Sequence, residues 1–134
     1  MENKDYEAKW FIENKVVLFT QYRDEGTLEQ VITMITAANA LIDSSPNDKI
    51  PVLVDVTNIK TSRNNMSAVT REFRYSRSKK WGFTIVIGAE GIVKFFAQVF
   101  FQLAGIEIKL AKDMDEAVAI LYRLYPDLQH ISGE

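Results

Sequence analysis

Cysteine is absent from the 134-residue chain, and histidine occurs once. The lack of cysteine excludes a disulfide framework, a thiol nucleophile and a cysteine-ligated metal site. The one histidine, His130, follows the last apolar segment and has no cluster of metal-binding or catalytic residue types beside it. A lone imidazole of this kind makes a poor general base and a poor metal ligand. We therefore expect no catalytic residue, no metal site and no cofactor.

Excess charge of one sign and long apolar runs are also missing. The 16 basic and 18 acidic residues give a net charge of -2, whereas nucleic-acid-binding proteins usually carry a strongly basic surface. No apolar run approaches the roughly 20 residues of a membrane-spanning helix, and the chain start lacks the apolar segment of a secretion signal. We therefore predict a cytoplasmic protein that neither binds nucleic acid nor spans a membrane. Its size predicts a single domain over residues 1–126 and a polar tail over residues 127–134.

Apolar residues follow spacings that alternate along the chain between those of strands and those of helices. The first two predicted strands flank a tight Asn14-Lys15 turn and form an antiparallel hairpin. Three later apolar runs have the length and composition of further strands. The predicted strands are residues 9–13, 16–22, 50–56, 83–87 and 106–110.

Four helices are predicted between and after the later strands. The second begins near residues 64–67 and buries Phe73, and the third ends at Gly105, a typical C-cap residue. Asp113 and Glu116 match a capping box that opens the fourth helix. The order β-β-α-β-α-β-α-β-α predicts an α/β fold, with a mixed, mainly parallel sheet of about five strands and about four helices.

The predicted third helix, residues 91–105, carries four phenylalanines. A helical wheel groups five large apolar side chains into a stripe that we expect to face the core. Phe101 then falls on the polar side beside Lys94, Gln98 and Gln102. Phe100 lies at the margin of the core stripe. Single exposed apolar residues are common, but one on a polar face also indicates a surface for a partner, a ligand or a lipid. The predicted core stripe consists of Ile92, Phe95, Phe96, Val99 and Leu103.

The second helix carries the strongest concentration of positive charge. Arg71, Arg74 and Arg77 recur at i, i+3 and i+6, a spacing that places them along one ridge. Lys79 and Lys80 follow directly. Such a ridge suits an acidic partner, a phosphate or an anionic lipid headgroup. It is equally typical of a solvated face that balances acidic residues elsewhere.

Two stretches of the chain resemble SpoIIAA-like, or STAS, domains. The stretch PVLVDVTNIKTS, residues 51–62, resembles the central strand of these domains with its aspartate, and FFAQVFFQLAGIEIKLAKDMDEAVAIL, residues 95–121, resembles bacterial STAS-like proteins. The family includes anti-sigma factor antagonists and groups in fold with the lipid-binding Sec14-like domains. The resemblance implies the STAS-like arrangement of strands and helices over nearly the whole chain.

The chain departs from the antagonists at their phosphorylation site. In those proteins a serine or threonine hydroxyl accepts phosphate in the turn after the central strand. Arg63-Asn64-Asn65-Met66 stands there in this chain, and asparagine offers a helix cap but no hydroxyl for phosphate. The resemblance therefore implies a STAS-like domain without the phosphoserine switch.

Asp55 and Thr57 lie at the carboxyl end of the predicted central strand. Ligands bind at that edge of open α/β sheets, which makes the two residues candidates for ligand binding. A carboxylate in this position also commonly caps the turn that follows.

Two functions remain open. The first is a non-enzymatic regulatory or protein-interaction domain, in which the phenylalanine-rich and basic helices bind a protein partner or a second copy in a symmetric homodimer. The second is a Sec14-like module for a lipid or small apolar ligand, with Phe100 and Phe101 at its entrance and the arginines on an anionic headgroup. A close-packed domain of this size leaves little room for a lipid-sized cavity, which favours the first function.

Overall fold

The computed structural model describes residues 6–22, 28–58, 71 and 73–128, and within them it does not describe the side chains of residues 6, 28–32, 92 and 96. Residues 73–76 form a helical segment, and residues 126–128 form a short helical turn. The other elements are β1 (Tyr6–Ile12), β2 (Val16–Gln21), α1 (Leu28–Ser44), β3 (Ile50–Asp55), β4 (Trp81–Ile87), α2 (Gly91–Leu103), β5 (Ile108–Ala111) and α3 (Met114–Leu124).

The strands form one five-stranded sheet in the order β1-β2-β3-β4-β5. The β1–β2 pair is antiparallel, and each later strand pairs in parallel with its neighbour. The predicted α/β class with a mixed, mainly parallel sheet is therefore confirmed. Parallel neighbours require crossover connections, which explains why helices separate the later strands in the chain.

The hairpin turns where the sequence predicts. Asn14 adopts a positive φ of 64°, which asparagine tolerates better than most residues. Lys15 N donates to Ile12 O across the turn at 2.9 Å. The register of β1 against β2 shifts between Trp10 and Ile12, so β1 carries a bulge at this end.

The two faces of the sheet contribute to two separate apolar clusters. On β3, Val52 and Val54 belong to the first cluster, which includes residues of α1 and α2, whereas Leu53 belongs to the second, which includes residues of α3. Successive side chains of a strand point to opposite faces, so one apolar run supplies both clusters. The nearly continuous apolar sequence of β3 is therefore explained by helices that cover it on both sides.

The ends of α2 and α3 are fixed by local hydrogen bonds. Gly105 has a φ of +76°, and Ile106 N donates to Phe101 O at 2.9 Å, which forms the predicted glycine C-cap. At α3, Asp113 Oδ1 accepts from Glu116 N at 2.9 Å, as the predicted capping box requires. Glu116 Oε1 reaches back to the amide of Lys112, one residue earlier than expected. The predicted start of the second helix, at 64–67, lies outside the described residues.

A network of hydrogen bonds ties the second half of α1 to the segment that leads into β4. The side chain of Asn39 donates to Ser76 O at 2.7 Å and accepts from Ser78 N at 2.8 Å. The buried Ser78 hydroxyl donates to Asp43 Oδ1. Lys80 Nζ donates to the carbonyl of Ser45 just beyond α1, where the negative end of the helix dipole favours a cation. These contacts position the 73–76 segment against α1.

The chain remains packed beyond the predicted domain boundary at residue 126. Leu128 is buried in the second cluster, and its amide donates to Tyr125 O at 3.0 Å. Packed structure therefore continues to at least Leu128, inside the predicted polar tail. His130 lies outside the described residues.

Candidate functional site

Phe101 lies in the core. Only 7% of its surface is exposed, and it belongs to the first apolar cluster. Its ring meets that of Phe73 edge-on at a centroid distance of 5.9 Å, and the half-buried Phe100 lies 5.0 Å from Phe73. The prediction that Phe101 is exposed on a polar face is therefore wrong, whereas a binding role for Phe100 and Phe101 stays a prediction.

The opposite face of α2 is exposed instead. Exposure reaches 59% at Phe95, 37% at Val99 and 55% at Leu103. These residues occur at i, i+4 and i+8, so they lie in a row along one side of the helix. All three belong to the stripe that the sequence assigned to the core, and that assignment is wrong for them. We call Phe95, Val99 and Leu103 the α2 stripe.

The reversal has a simple physical origin. Apolar residues occupy most of the circumference of α2, so their periodicity does not determine which side faces the sheet. The side with the smaller residues Val93, Ala97 and Ala104 packs inward together with Phe101. Small side chains let a helix lie close to its neighbours, and the aromatic ring of Phe73 fills the remaining space.

Exposed polar residues with little charge accompany the α2 stripe. Lys94, Gln98 and Gln102 are exposed, as predicted. Lys94 is the one charged residue within α2, and the helix contains no acidic residue. The exposed surface of α2 is therefore apolar and amide-rich, with a weak positive charge.

The basic residues lie in and after the segment whose Phe73 packs against Phe100 and Phe101 of α2. Arg71 and Arg74 are exposed, whereas the half-buried Arg77 lies in the bend after the helical segment. The predicted ridge of three arginines is thus reduced to two exposed members. Tyr75 is 83% exposed beside them. Because Phe73 packs against Phe100 and Phe101 of α2, the helical segment that carries Arg74 and Tyr75 is anchored to α2.

Lys80 serves a structural role. Its ammonium donates to the Ser45 carbonyl after α1, and its amide donates to Ser78 Oγ at 3.1 Å. The sequence analysis grouped this lysine with the arginines because all of them are positively charged. It could not show that the lysine contacts the end of α1, which is distant in the sequence. The exposed positive charge of this region therefore comes from Arg71, Arg74 and Lys79.

Asp55 and Thr57 form a capped turn. Asp55 Oδ1 accepts from Thr57 N at 3.0 Å and from Thr57 Oγ1 at 2.6 Å. Gly88 approaches this turn so closely that a Cβ placed on it would lie 2.2 Å from Thr57 Oγ1. The structural interpretation of the carboxylate, that it caps the turn after β3, therefore agrees with the geometry, and the turn and Gly88 are in direct contact.

The described parts of the chain contain no group of three or more histidine, cysteine, aspartate or glutamate side chains arranged to bind a metal ion. Among the same residues, no helix combines the length and the apolar character that crossing a membrane requires. The exposed face of α2 is the candidate functional site, because Phe95, Val99 and Leu103 form a row of exposed apolar side chains on it. Comparison of the chain with protein-family models, with curated proteins and with solved structures finds no match.

Proposed function

We propose that this protein is a non-enzymatic, STAS-like protein-interaction domain with a regulatory role, and that the α2 stripe binds its partner. The observation that carries the proposal is the exposure of Phe95, Val99 and Leu103 along one side of a helix. Contiguous exposed apolar surface with a polar border is typical of interaction sites. The absence of a hydroxyl at the antagonist phosphorylation position favours regulation by binding rather than by a phosphoserine switch.

The spacing of the stripe suits a partner with an apolar groove. Helices that bind in such grooves present anchors at i, i+3 or i+4 and i+7 or i+8, and Phe95, Val99 and Leu103 supply this pattern. The buried core of an interface is enriched in aromatic residues and depleted of charged ones, and this row contains a phenylalanine and no charged residue. Burial of this row would contribute about 25 cal/mol for each Å² of apolar surface removed from water.

The exposed charges of this protein indicate which residue types should line the border of the partner's groove. Arg71, Arg74 and Lys94 are exposed, and α2 offers no acidic side chain to neutralise them. An acidic rim would therefore meet the positive charge of Lys94 on the same helix as the apolar anchors, which mainly accelerates association and selects the partner. We expect the partner to be a protein whose apolar groove has acidic residues along its border.

The competing function is binding of a lipid or small apolar ligand. In that interpretation Phe100 and Phe101 border an entrance. Their rings pack on Phe73 at centroid distances of 5.0 and 5.9 Å, which is a core arrangement worth about 0.5–1.5 kcal/mol beyond simple burial. This packing favours the protein-interaction function.

The test compares two neighbouring exposed residues of α2. Leu103→Asp places a charge in the stripe, and Gln102→Asp places the same charge outside it. Both proteins should keep the wild-type circular dichroism spectrum, because both positions are exposed. Proteins that co-purify from native cells with the wild type and with Q102D should be lost with L103D. Equal retention by both variants would contradict the proposal.

Vesicles separate the lipid interpretation from the protein one. Sedimentation with phosphatidylcholine vesicles, with and without phosphatidylglycerol, should leave the wild type in the supernatant. Binding to the anionic vesicles that L103D abolishes would assign the stripe to a membrane surface instead. Arg74→Glu is the companion variant, because a membrane role requires positive charge near the stripe.

A further inference from the structure

Strand β5 is an edge strand of the described sheet, since it pairs with β4 and ends the strand order. Thr84 N donates to Glu107 O at 3.0 Å, and Gly88 N donates to Ala111 O at 2.8 Å. Alternate residues of a strand direct their backbone groups to opposite sides. Because 107 and 111 face β4, the backbone groups of Ile108 and Leu110 face away from it.

Along this edge an apolar side chain stands between an acidic and a basic one. Glu107 and Lys109 are exposed, and between them Ile108 is half-buried and packs against the first apolar cluster. An acidic and a basic residue on the same face, two positions apart, form a short self-complementary sequence.

Only some antiparallel registers let this edge pair with itself, because outward-facing residues must lie opposite each other. Centring the pair on Ile108 places Glu107 of each copy opposite Lys109 of the other. Sliding the strands so that Ile108 lies opposite Leu110 places Lys109 opposite Lys109, which is repulsive. Centring on Leu110 places Glu107 opposite Asp113, also repulsive. The charges therefore select one register.

We propose that the protein forms a symmetric dimer through antiparallel pairing of β5 with β5 of a second copy, with Ile108 opposite Ile108. The two sheets join into one continuous sheet, and two Glu107–Lys109 pairs form across the two-fold axis. This symmetric arrangement is a closed one, which ends growth at two copies. The proposal is independent of the α2 stripe and its partner.

The strand at the other edge of the sheet, β1, differs from β5 because its register is interrupted. On β1, Glu7 pairs within its own strand with Lys9 at 3.9 Å and accepts from the Tyr22 hydroxyl at 2.8 Å. The bulge between Trp10 and Ile12 also interrupts its register. Bulges and charges are the usual means of protecting an edge against further pairing. Glu7 and Lys9 have the same spacing as Glu107 and Lys109, but the pairing of β5 with β4 shows no register shift, which favours β5 as the edge for self-association.

The charge-swap experiment tests the register. Sedimentation velocity over a range of concentrations should show a dimer for the wild type. Lys109→Glu and Glu107→Lys should each raise the dimer dissociation constant by about tenfold, since each turns two attractive pairs into repulsive ones. The double variant E107K/K109E should restore dimerisation, because the swapped charges are again complementary. A monomeric wild type, or a double variant no better than the single ones, would overturn the proposal.

The absence of cysteine provides a second, geometric test. In the proposed register, residues at 108 form a hydrogen-bonded antiparallel pair with Cα atoms about 5.5 Å apart, which lies within disulfide range. Ile108→Cys should therefore cross-link to a covalent dimer under mild oxidation. Leu110→Cys is the matched control, also half-buried on β5, and lies opposite Ile106 in that register, so it should stay monomeric on a non-reducing gel. Equal cross-linking of both variants would overturn the register.

Failure of this proposal is distinguishable from failure of the proposed partner binding. L103D changes the α2 stripe but leaves β5 unaltered, so it should keep the wild-type dimer dissociation constant. K109E changes β5 but leaves the stripe unaltered, so it should still retain the proteins that bind the stripe. Loss of dimerisation in L103D would place self-association on α2 and overturn the assignment to β5.

Discussion

Phe95 and Phe101 face opposite environments on the same helix, with 59% of Phe95 exposed and 7% of Phe101. The two rings are chemically identical, so their contributions to folding differ because of their positions alone. Phe101 contacts Phe73 and Phe100 in the first cluster. The difference in exposure between the two rings shows which side of α2 belongs to the core.

Replacement of these two phenylalanines by alanine should have very different effects on stability. Phe101→Ala should lower the free energy of unfolding by about 3–5 kcal/mol, because it removes a buried ring and leaves a cavity. Phe95→Ala should lower it by less than about 1 kcal/mol, as is usual for an exposed position. Urea unfolding followed by circular dichroism gives both values. Comparable losses in the two variants would contradict the described orientation of α2.

The sequence predicts the order of the elements well, because strands and helices leave different local periodicities. The hairpin turn at Asn14, the C-cap at Gly105 and the capping box at Asp113 are all determined by residues within a few positions of one another. The orientation of α2 is not local. It depends on Phe73, which a different helical segment brings against Phe101, and no periodicity within α2 contains that information.

Gly88, directly after β4, and Gly91, the first residue of α2, provide a second prediction. Gly88 and Gly91 both have positive φ, at 78° and 57°. A Cβ at Gly88 would lie 2.2 Å from Thr57 Oγ1, whereas a Cβ at Gly91 would have no heavy atom within 4 Å. Gly91→Ala should therefore cost only the conformational penalty of about 1–2 kcal/mol. Gly88→Ala should cost clearly more, because the turn capped by Asp55 must also move.

Thermal unfolding of the two glycine variants checks this prediction. Addition of Thr57→Ala to Gly88→Ala should recover only part of the loss, since Thr57 Cα also lies 2.9 Å from the added carbon. Equal melting temperatures for G88A and G91A would show that the turn after β3 yields without cost. The close contact of the turn with Gly88 would then not hold.

The pKa of Tyr125 should depend on Glu107. Burial is the main cause that raises this pKa above 10.0, and the negative charge of Glu107 raises it further. The folded state therefore holds the phenolic proton more tightly than the unfolded state does. The resulting stability is fully present below pH 10 and is lost as the pH rises through the folded-state pKa.

Titration of tyrosinate absorbance, with Tyr125→Phe as the subtraction reference, measures this pKa. Glu107→Gln should lower it but leave it above the ordinary value, because burial remains. An unchanged pKa in E107Q would place the carboxylate too far from Tyr125 to act. In the Tyr125→Phe protein, the loss of stability above pH 10 should be smaller than in the wild type.

The candidate site was predicted in part. Arg71, Arg74, Lys94 and Gln98 are exposed as expected for a contact surface, since charged and amide side chains seldom tolerate full burial. The apolar members of the site were assigned to the wrong side of α2. Lys80 was grouped with the arginines although its ammonium donates to the carbonyl of Ser45. Ser45 is distant in the sequence, so the local pattern does not reveal this contact. Local patterns thus predict exposure of polar groups better than that of apolar ones in an apolar-rich helix.

The side chain of Asn39, in α1, helps to fix the position of the helical segment that carries Arg74 and Tyr75. It holds Ser76 and Ser78 by two hydrogen bonds, so the pitch of the helical segment against α2 is set from α1. A substitution at residue 39 would therefore displace the exposed side chains of Arg74 and Tyr75, although Asn39 itself lies in α1.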